Sequence, residues 1–224
     1  MSAAPHLPTS TEEDYLKAVL KLSADAGPDA SVSTTALSAE LKTTPASVTD
    51  MIKRLGDKGY LRYQPYRGVS LSPEGRRIAL RIVRKHRLWE VFLVEKLRFR
   101  WDQVHDTAEQ LEHIRSPELI QKLDEFLGYP KFDPHGDPLP NEHGEIEARN
   151  TRPLADVPPG TEVTLARVTL HTPEFLQYLD RVGLVINTPL TVLDHLPFDD
   201  SRLVRIAGKD LQLSKLVAGN LLVV

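Results

Sequence analysis

"PASVTDMIKRLGDKGYLRYQPYRGVSLSPEGRRIA", residues 45–79, decides how the chain folds. Pro45 suits a first helical turn, where a backbone N–H would have no partner in any case. Val48, Met51, Ile52 and Leu55 follow at spacings of three and four, which places them on one stripe of a helix. Beyond them the segment reads as a strand, a turn at "PYRG", a second strand, and a new helix opening near Pro73. Just upstream, "VSTTALSAEL" (32–41) predicts a shorter helix with Ala36, Leu37 and Leu41 turned inward, and only "KTT" separates the two. Two short helices across a tight turn, then a hairpin, describe a winged helix-turn-helix. An amphipathic helix, "STEEDYLKAVLKL" (10–22), precedes it. There Ser10 is expected to cap the helix with Glu13 reciprocating, and "AGPDAS" ends it.

Charge supports a nucleic-acid reading of this unit. The chain has 224 residues and a formal net charge of −3, but Lys42 to Arg87 carries 12 Lys and Arg against 3 acids, a local +9 that leaves −12 for the rest. A basic segment inside an acidic protein is the footprint of a surface that meets phosphates. The face of the second reading helix opposite its apolar stripe offers Thr44, Pro45, Ala46, Ser47, Thr49 and Asp50 at its N-terminal end, with Lys53 and Arg54 one turn on. Small hydrogen-bonding groups lie where base edges would be and cations where phosphates would be. Tyr66 and Arg67, at the tip of the wing, suit backbone contacts. Asp50 would repel a phosphate and should face a base edge or solvent. Helix-turn-helix shapes also occur in proteins that bind no DNA, and a solvated Arg-rich face is the plainer alternative.

Composition removes whole classes of function. With no cysteine, disulfides, thiolate metal sites, iron–sulfur clusters and cysteine nucleophiles are excluded. The first residues, "MSAAPHLPTS", show no basic-then-apolar leader, and no apolar run approaches the roughly 18 residues a membrane span needs, so a cytoplasmic location without membrane contact is expected. No HExxH and no phosphate-cradling loop is present, which argues against an enzyme.

The helix from about Ser72, "RRIALRIVRKHRLWEVFLVEKL", carries Ile78, Ile82, Leu88, Val91, Phe92 and Leu97, a broader apolar surface than one wing domain covers. It predicts a dimerisation segment, and a twofold homodimer suits a palindromic operator with one reading helix per half-site. His86 and Glu90 stack on this helix at a spacing of four. Further on, "HDTAEQLEHIRSPE" (105–118) sets His105, Glu109, Glu112 and His113 within an arc of about 100°, so a single helix face presents all four. Such a stripe is either the wet side of an amphipathic helix or a donor face for a metal ion.

A Pro-, Gly-, Asp- and His-rich connector follows, in which His135 and His143 invite a metal reading but, lying in a flexible loop without helical geometry, read more simply as ordinary solvent-exposed histidines. From Thr151 the pattern changes to "TEVTLARV", "PLTVLDHL", "RLVRIAG", "KDLQLS" and "NLLVV", five short strands interrupted by one helix, "TPEFLQYLDRVGL". The expected organisation is a flexible N-terminus (1–10), a winged-helix domain (11–73), a helical dimerisation and metal-binding domain (74–130), a linker (131–150) and a small SH3-like β-barrel (151–224).

Taken together, "TEEDYLKAV", the 45–79 segment, "RKHRLWEVFL", "VHDTAEQLEH" and "HTPEFLQYLDRVGL" resemble the diphtheria-toxin-repressor and manganese-transport-regulator family of metal-activated transcription repressors. The resemblance implies a primary activating site at Asp14, Glu109, Glu112 and His113. It also implies an ancillary site at His86, Glu90 and His105, joined by His171 and Glu174 from the third domain. Iron-responsive members carry methionine and cysteine where this chain has Asp14 and Glu109. Hard carboxylate donors favour Mn2+ over Fe2+, while Zn2+, Co2+, Ni2+ and Cd2+ also suit histidine-carboxylate sites. Two-domain manganese sensors have an acid where this chain has Lys17, so their paired-metal arrangement is not expected.

Overall fold

The computed structural model describes residues 7–24, 30–64, 67–147 and 149–224. Two compact units emerge. The first comprises Met1–Lys85, Glu112–Ile114 and Pro140–Glu145, and the second His86–Leu111, Arg115–Leu139 and Ile146–Val224.

In the first unit, α1 (Ser10–Ser23) is capped one residue earlier than the sequence suggests. Thr9 accepts from the Glu12 amide and the Glu12 side chain answers to the Thr9 amide, a closed capping box. The shift matters because it uses Glu12 rather than Glu13 and leaves Glu13 for other work. Helix α2 (Thr34–Glu40) is capped by Ser33, and α3 (Pro45–Asp57) by Thr44 with Pro45 in its first turn. Strands β1 (Leu61–Gln64) and β2 (Gly68–Leu71) pair antiparallel as the wing. Leu16, Val19, Leu37, Val48, Leu55 and Val69 are wholly buried in one core, so the stripe expected on α3 does face inward. Helix α4 (Pro73–Glu95) begins against this core, with Gly75 so close to the Tyr60 carbonyl that a Cβ there would sit 2.0 Å from its oxygen.

The second unit takes over α4 from His86 and adds α5 (His105–Leu111) and α6 (Pro117–Phe126). Its remainder is a six-stranded antiparallel sheet of order β3-β8-β4-β5-β6-β7. The strands are β3 (Arg152–Pro153), β4 (Glu162–Val168), β5 (Pro189–Leu196), β6 (Ser201–Ile206), β7 (Lys209–Leu213) and β8 (Leu221–Val223). Helices α7 (Pro173–Val182) and α8 (Lys215–Gly219) accompany them. All five expected strands form, and the short β3 adds a sixth on the far side of β8. Leu154, Leu165, Leu176, Leu179, Leu184 and Leu221 fill the interior.

Two expectations are corrected. Helix α5 stops at Leu111, so Glu112 and His113 sit in the turn after it and the four donors do not share one helix face. His135 is not a solvent-exposed loop histidine: it is 2% accessible, whereas the His143 side chain is 73% accessible. The physical cause is a built turn. One carboxylate oxygen of Asp133 accepts from the amides of both His135 and Asp137. Gly136, at φ +84°, then lets the backbone press so closely on Ala166 that a Cβ would meet its carbonyl at 2.1 Å.

Candidate metal centres and nucleic-acid interface

The first donor group lies within the first unit. Ligating atoms of Asp14, Glu112 and His113 fall within 4.8 Å of one another. Asp14 comes from α1, while the turn that ends α5 delivers Glu112, 1% accessible, and the partly buried His113. The His113 Nε2 lies 3.1 Å from Asp14 Oδ1 and its Nδ1 lies 2.8 Å from Glu13 Oε2. Glu13 thereby orients the ring so that Nε2 faces Asp14, an outer carboxylate of the kind that fixes ligating histidines. Lys17 Nζ closes the group at 2.7 Å from Glu112 Oε2. Two carboxylates and an imidazole form a donor set that fits a divalent ion. The sequence pattern places Glu13 in the helix cap, which hides this contact; the cap in fact uses Glu12.

Glu109, assigned to this group by the resemblance, belongs to the second unit, where its Oε1 lies 3.3 Å from His105 Nε2. There the second group forms around the buried Glu90. His86 Nε2 is 3.0 Å and His105 Nδ1 3.6 Å from the same Glu90 oxygen. Burial would raise the Glu90 carboxyl, but hydrogen bonds from His105 and His86 and the nearby imidazole charge hold it well below the usual range. Conversely, the Glu109 and Glu90 carboxylates raise His105 to about 9 against the cost of burial.

On its other side Glu90 forms a third cluster with Asp133 and His135, all three buried. Burial, with Asp137 and Glu90 close by, pushes the Asp133 carboxyl well above its usual value. Arg87 reaches both Asp133 and Asp137 at 3.4 Å, and Arg167 pairs with Asp137. The His135 ring is stacked between Trp101, 5.8 Å away, and His171, 4.6 Å away. Burial, then the proximity of His135, lowers His171. The structure therefore does not bring His171 and Glu174 into the His86, Glu90 and His105 group. His171 Nε2 is 2.9 Å from the Val168 carbonyl oxygen, and Glu174 is exposed in the first turn of α7. Asp133 and His135, in a segment that looked like a linker, carry the only donors beside Glu90 that sequence reasoning did not assign among the described residues.

The candidate nucleic-acid face is exposed, and its polar groups are constrained by local hydrogen bonds. Thr44, Pro45, Ala46, Ser47, Thr49, Asp50, Lys53, Arg54 and Arg67 are all exposed, and Tyr66 lies outside the described residues. Thr44 Oγ1 accepts the Ser47 amide and lies 2.9 Å from the Ser47 hydroxyl, while the Thr49 hydroxyl donates to the Pro45 carbonyl at 2.9 Å. Thr49 thus offers a base edge its lone pairs and its methyl group rather than a donor. Asp50 faces solvent with Lys53 at 4.0 Å. Glu12, 1% accessible, receives Lys58 at 2.7 and 2.9 Å, which fastens the start of α1 to the C-terminal end of α3.

Comparison with known proteins bears on the same segments. Residues 7–69 match the iron dependent repressor N-terminal DNA binding domain, 72–141 the iron dependent repressor metal binding and dimerisation domain, and 152–224 the FeoA domain. The iron-dependent repressor IdeR of Mycobacterium tuberculosis is 30% identical over 159 residues, covering 65% of this chain and 69% of that protein. The HTH-type transcriptional regulator MntR of Oceanobacillus iheyensis is 35% identical over 127 residues, covering 57% of this chain and 84% of that one. A solved manganese-dependent transcriptional repressor in complex with manganese superposes with a TM-score of 0.83 at 35% identity, over 95% of this chain and 99% of that one. The repressor ScaR with bound Zn2+ aligns with a TM-score of 0.75 at 30% identity, over 97% and 99%. A winged helix-turn-helix, an apolar helical segment and a FeoA-type sheet domain agree with these matches, and the chain belongs to the iron-dependent repressor family of metal-dependent transcriptional repressors.

Proposed function

We propose that the chain is a Mn2+-activated repressor that binds a palindromic operator as a homodimer, with α3 reading the major groove and Arg67 on the flanking backbone. The observation that carries the proposal is the convergence of Asp14, Glu112 and His113, because Asp14 sits on the helix whose start is bolted to α3 through Glu12 and Lys58. Asp14, Glu112 and His113 would hold the divalent ion, whose positive charge would offset the repulsion between the two carboxylates. Asp14 then fixes α1, Glu12 passes that constraint to Lys58 at the end of α3, and the reading helix is held in one orientation. By reciprocity, operator binding tightens metal binding by the same factor.

Asp14 and Glu112 are hard donors, which supports Mn2+; the iron-dependent repressors among the relatives support Fe2+ as the alternative. For the second group we favour His86, Glu90 and His105, with Asp133 and His135 rather than His171 and Glu174 on its inner side. The dimer surface is the apolar groove of Trp89, Phe92, Leu119, Leu123 and Phe126, where Phe126 is 63% accessible. The test is operator affinity titrated with Mn2+, Fe2+ and chelator for wild type and Glu112→Ala. Metal should strengthen wild-type binding on the order of a hundredfold, as about 3 kcal/mol of coupling gives, and leave the variant weak. Equal wild-type affinity with metal and with chelator refutes the switch.

A further inference from the structure

Resting on the reading of Asp14, Glu112 and His113 as a divalent-metal site, we propose that Lys17 is a tethered cation that holds the charge position of this site when metal is absent and thereby sets the metal concentration at which it fills. Lys17 lies three residues after Asp14 on α1, hence on the same helix face. Its side chain is 18% accessible and its Nζ is 2.7 Å from an oxygen of Glu112, whose side chain is 1% accessible.

A carboxylate that deep is costly to leave without a counter-charge. The same unit solves the same problem a second time, with Lys58 on the equally inaccessible Glu12. The difference lies in what Glu112 must do next. Glu12 keeps its lysine in every state, whereas Glu112 has to share or surrender its ammonium when a divalent ion arrives, because two cations on one carboxylate repel each other. The Lys17 contact therefore stabilises the metal-free protein selectively, and every unit of that stability is subtracted from metal affinity.

The direction follows, and it is opposite to that for a residue that merely holds Glu112 in place. Lys17→Met, in the full-length chain without DNA, should bind Mn2+ at least tenfold more tightly by calorimetry, or about 1.4 kcal/mol. Its metal-free form should melt lower than wild type, and saturating Mn2+ should abolish that difference. Lys17→Arg, which keeps the charge, should stay within about threefold of wild type. If metal-free Lys17→Met does not fold, Lys17→Gln is measured in its place with the same expected direction. Unchanged or weaker Mn2+ affinity in the uncharged variant overturns the proposal. Failure of the underlying site gives a different signature: Mn2+ stoichiometry and affinity at every site left unchanged by Glu112→Gln, whereas a true site loses one Mn2+ per chain and leaves only binding at the Glu90 group.

Discussion

Removing the carboxylate of Glu13 tests whether the first donor group is organised as a metal site. Glu13 is 12% accessible in its side chain, contacts His113 Nδ1 at 2.8 Å, and so leaves Nε2 on the Asp14 side. Without it the imidazole can rotate and can carry its proton on either nitrogen, and both freedoms must be lost again on metal binding. Outer carboxylates of this kind are worth about tenfold to a hundredfold in metal affinity, or about 1.4–2.7 kcal/mol. Glu13→Ala should therefore weaken Mn2+ binding by that factor. Glu13→Gln, which retains a neutral acceptor, should lie between it and wild type, since charge-assisted hydrogen bonds are roughly twice as strong as neutral ones. The assay is calorimetric Mn2+ titration of the full chain, with circular dichroism to show that the helices persist. An alanine variant within twofold of wild type, or a glutamine variant weaker than the alanine, would refute the reasoning.

Four further outcomes are expected. Lys53→Ala should weaken operator binding uniformly across sequences and reduce the slope of log K against log salt by about one, read from fluorescence anisotropy at several salt concentrations. In the metal-free protein the His105 ring should titrate near pH 9 by NMR, and Glu109→Gln should move the midpoint toward the ordinary 6.5 by removing its largest cause. Because that folded-state value is raised, the stabilisation it brings is complete below about 6.5 and lost as pH rises through 9. Lys58→Met should cost about 2 kcal/mol at neutral pH in urea denaturation, between the losses typical of exposed and buried pairs. Glu12 is held below its ordinary 4.5, so this stabilisation is present above that value and the deficit should shrink as pH falls through the lowered one. Gly136→Ala should cost about 3 kcal/mol or more, because the new methyl meets the Ala166 carbonyl and the φ of +84° disfavours it; thermal melting checks this.

What could be read ahead of the structure follows the range of the interactions. The α3 stripe of Val48, Ile52 and Leu55 and the alternation in β4 are local patterns, and both bury the faces they predict. The capping of α1 is also local, yet Thr9 with Glu12 and Ser10 with Glu13 fit one rule equally well, and only burial of Glu12 against Lys58 decides between them. His135 could not be found by periodicity. Its burial depends on Trp101 and Ala166, distant along the chain, meeting a Pro- and Gly-rich segment that looks like solvent-exposed loop. His105, Glu109, Glu112 and His113 were legible as donors. Their division was not, because it depends on α5 ending at Leu111, two residues before the pattern does.

The stacking of Trp101 on His135 makes the protein its own spectroscopic probe. Both tryptophans of the chain, Trp89 and Trp101, lie in the second unit. Trp101 stacks on the His135 ring at an interplanar angle of 16°, and His135 Nε2 is 2.8 Å from the Trp101 carbonyl oxygen. On the proposed reading, an ion taken up beside Glu90 would perturb an imidazole lying against an indole, and intrinsic emission would follow that event. Filling at Asp14, Glu112 and His113 has no tryptophan in its own unit to report it. Emission and calorimetry recorded on one unlabelled sample would therefore separate the order in which the two groups fill.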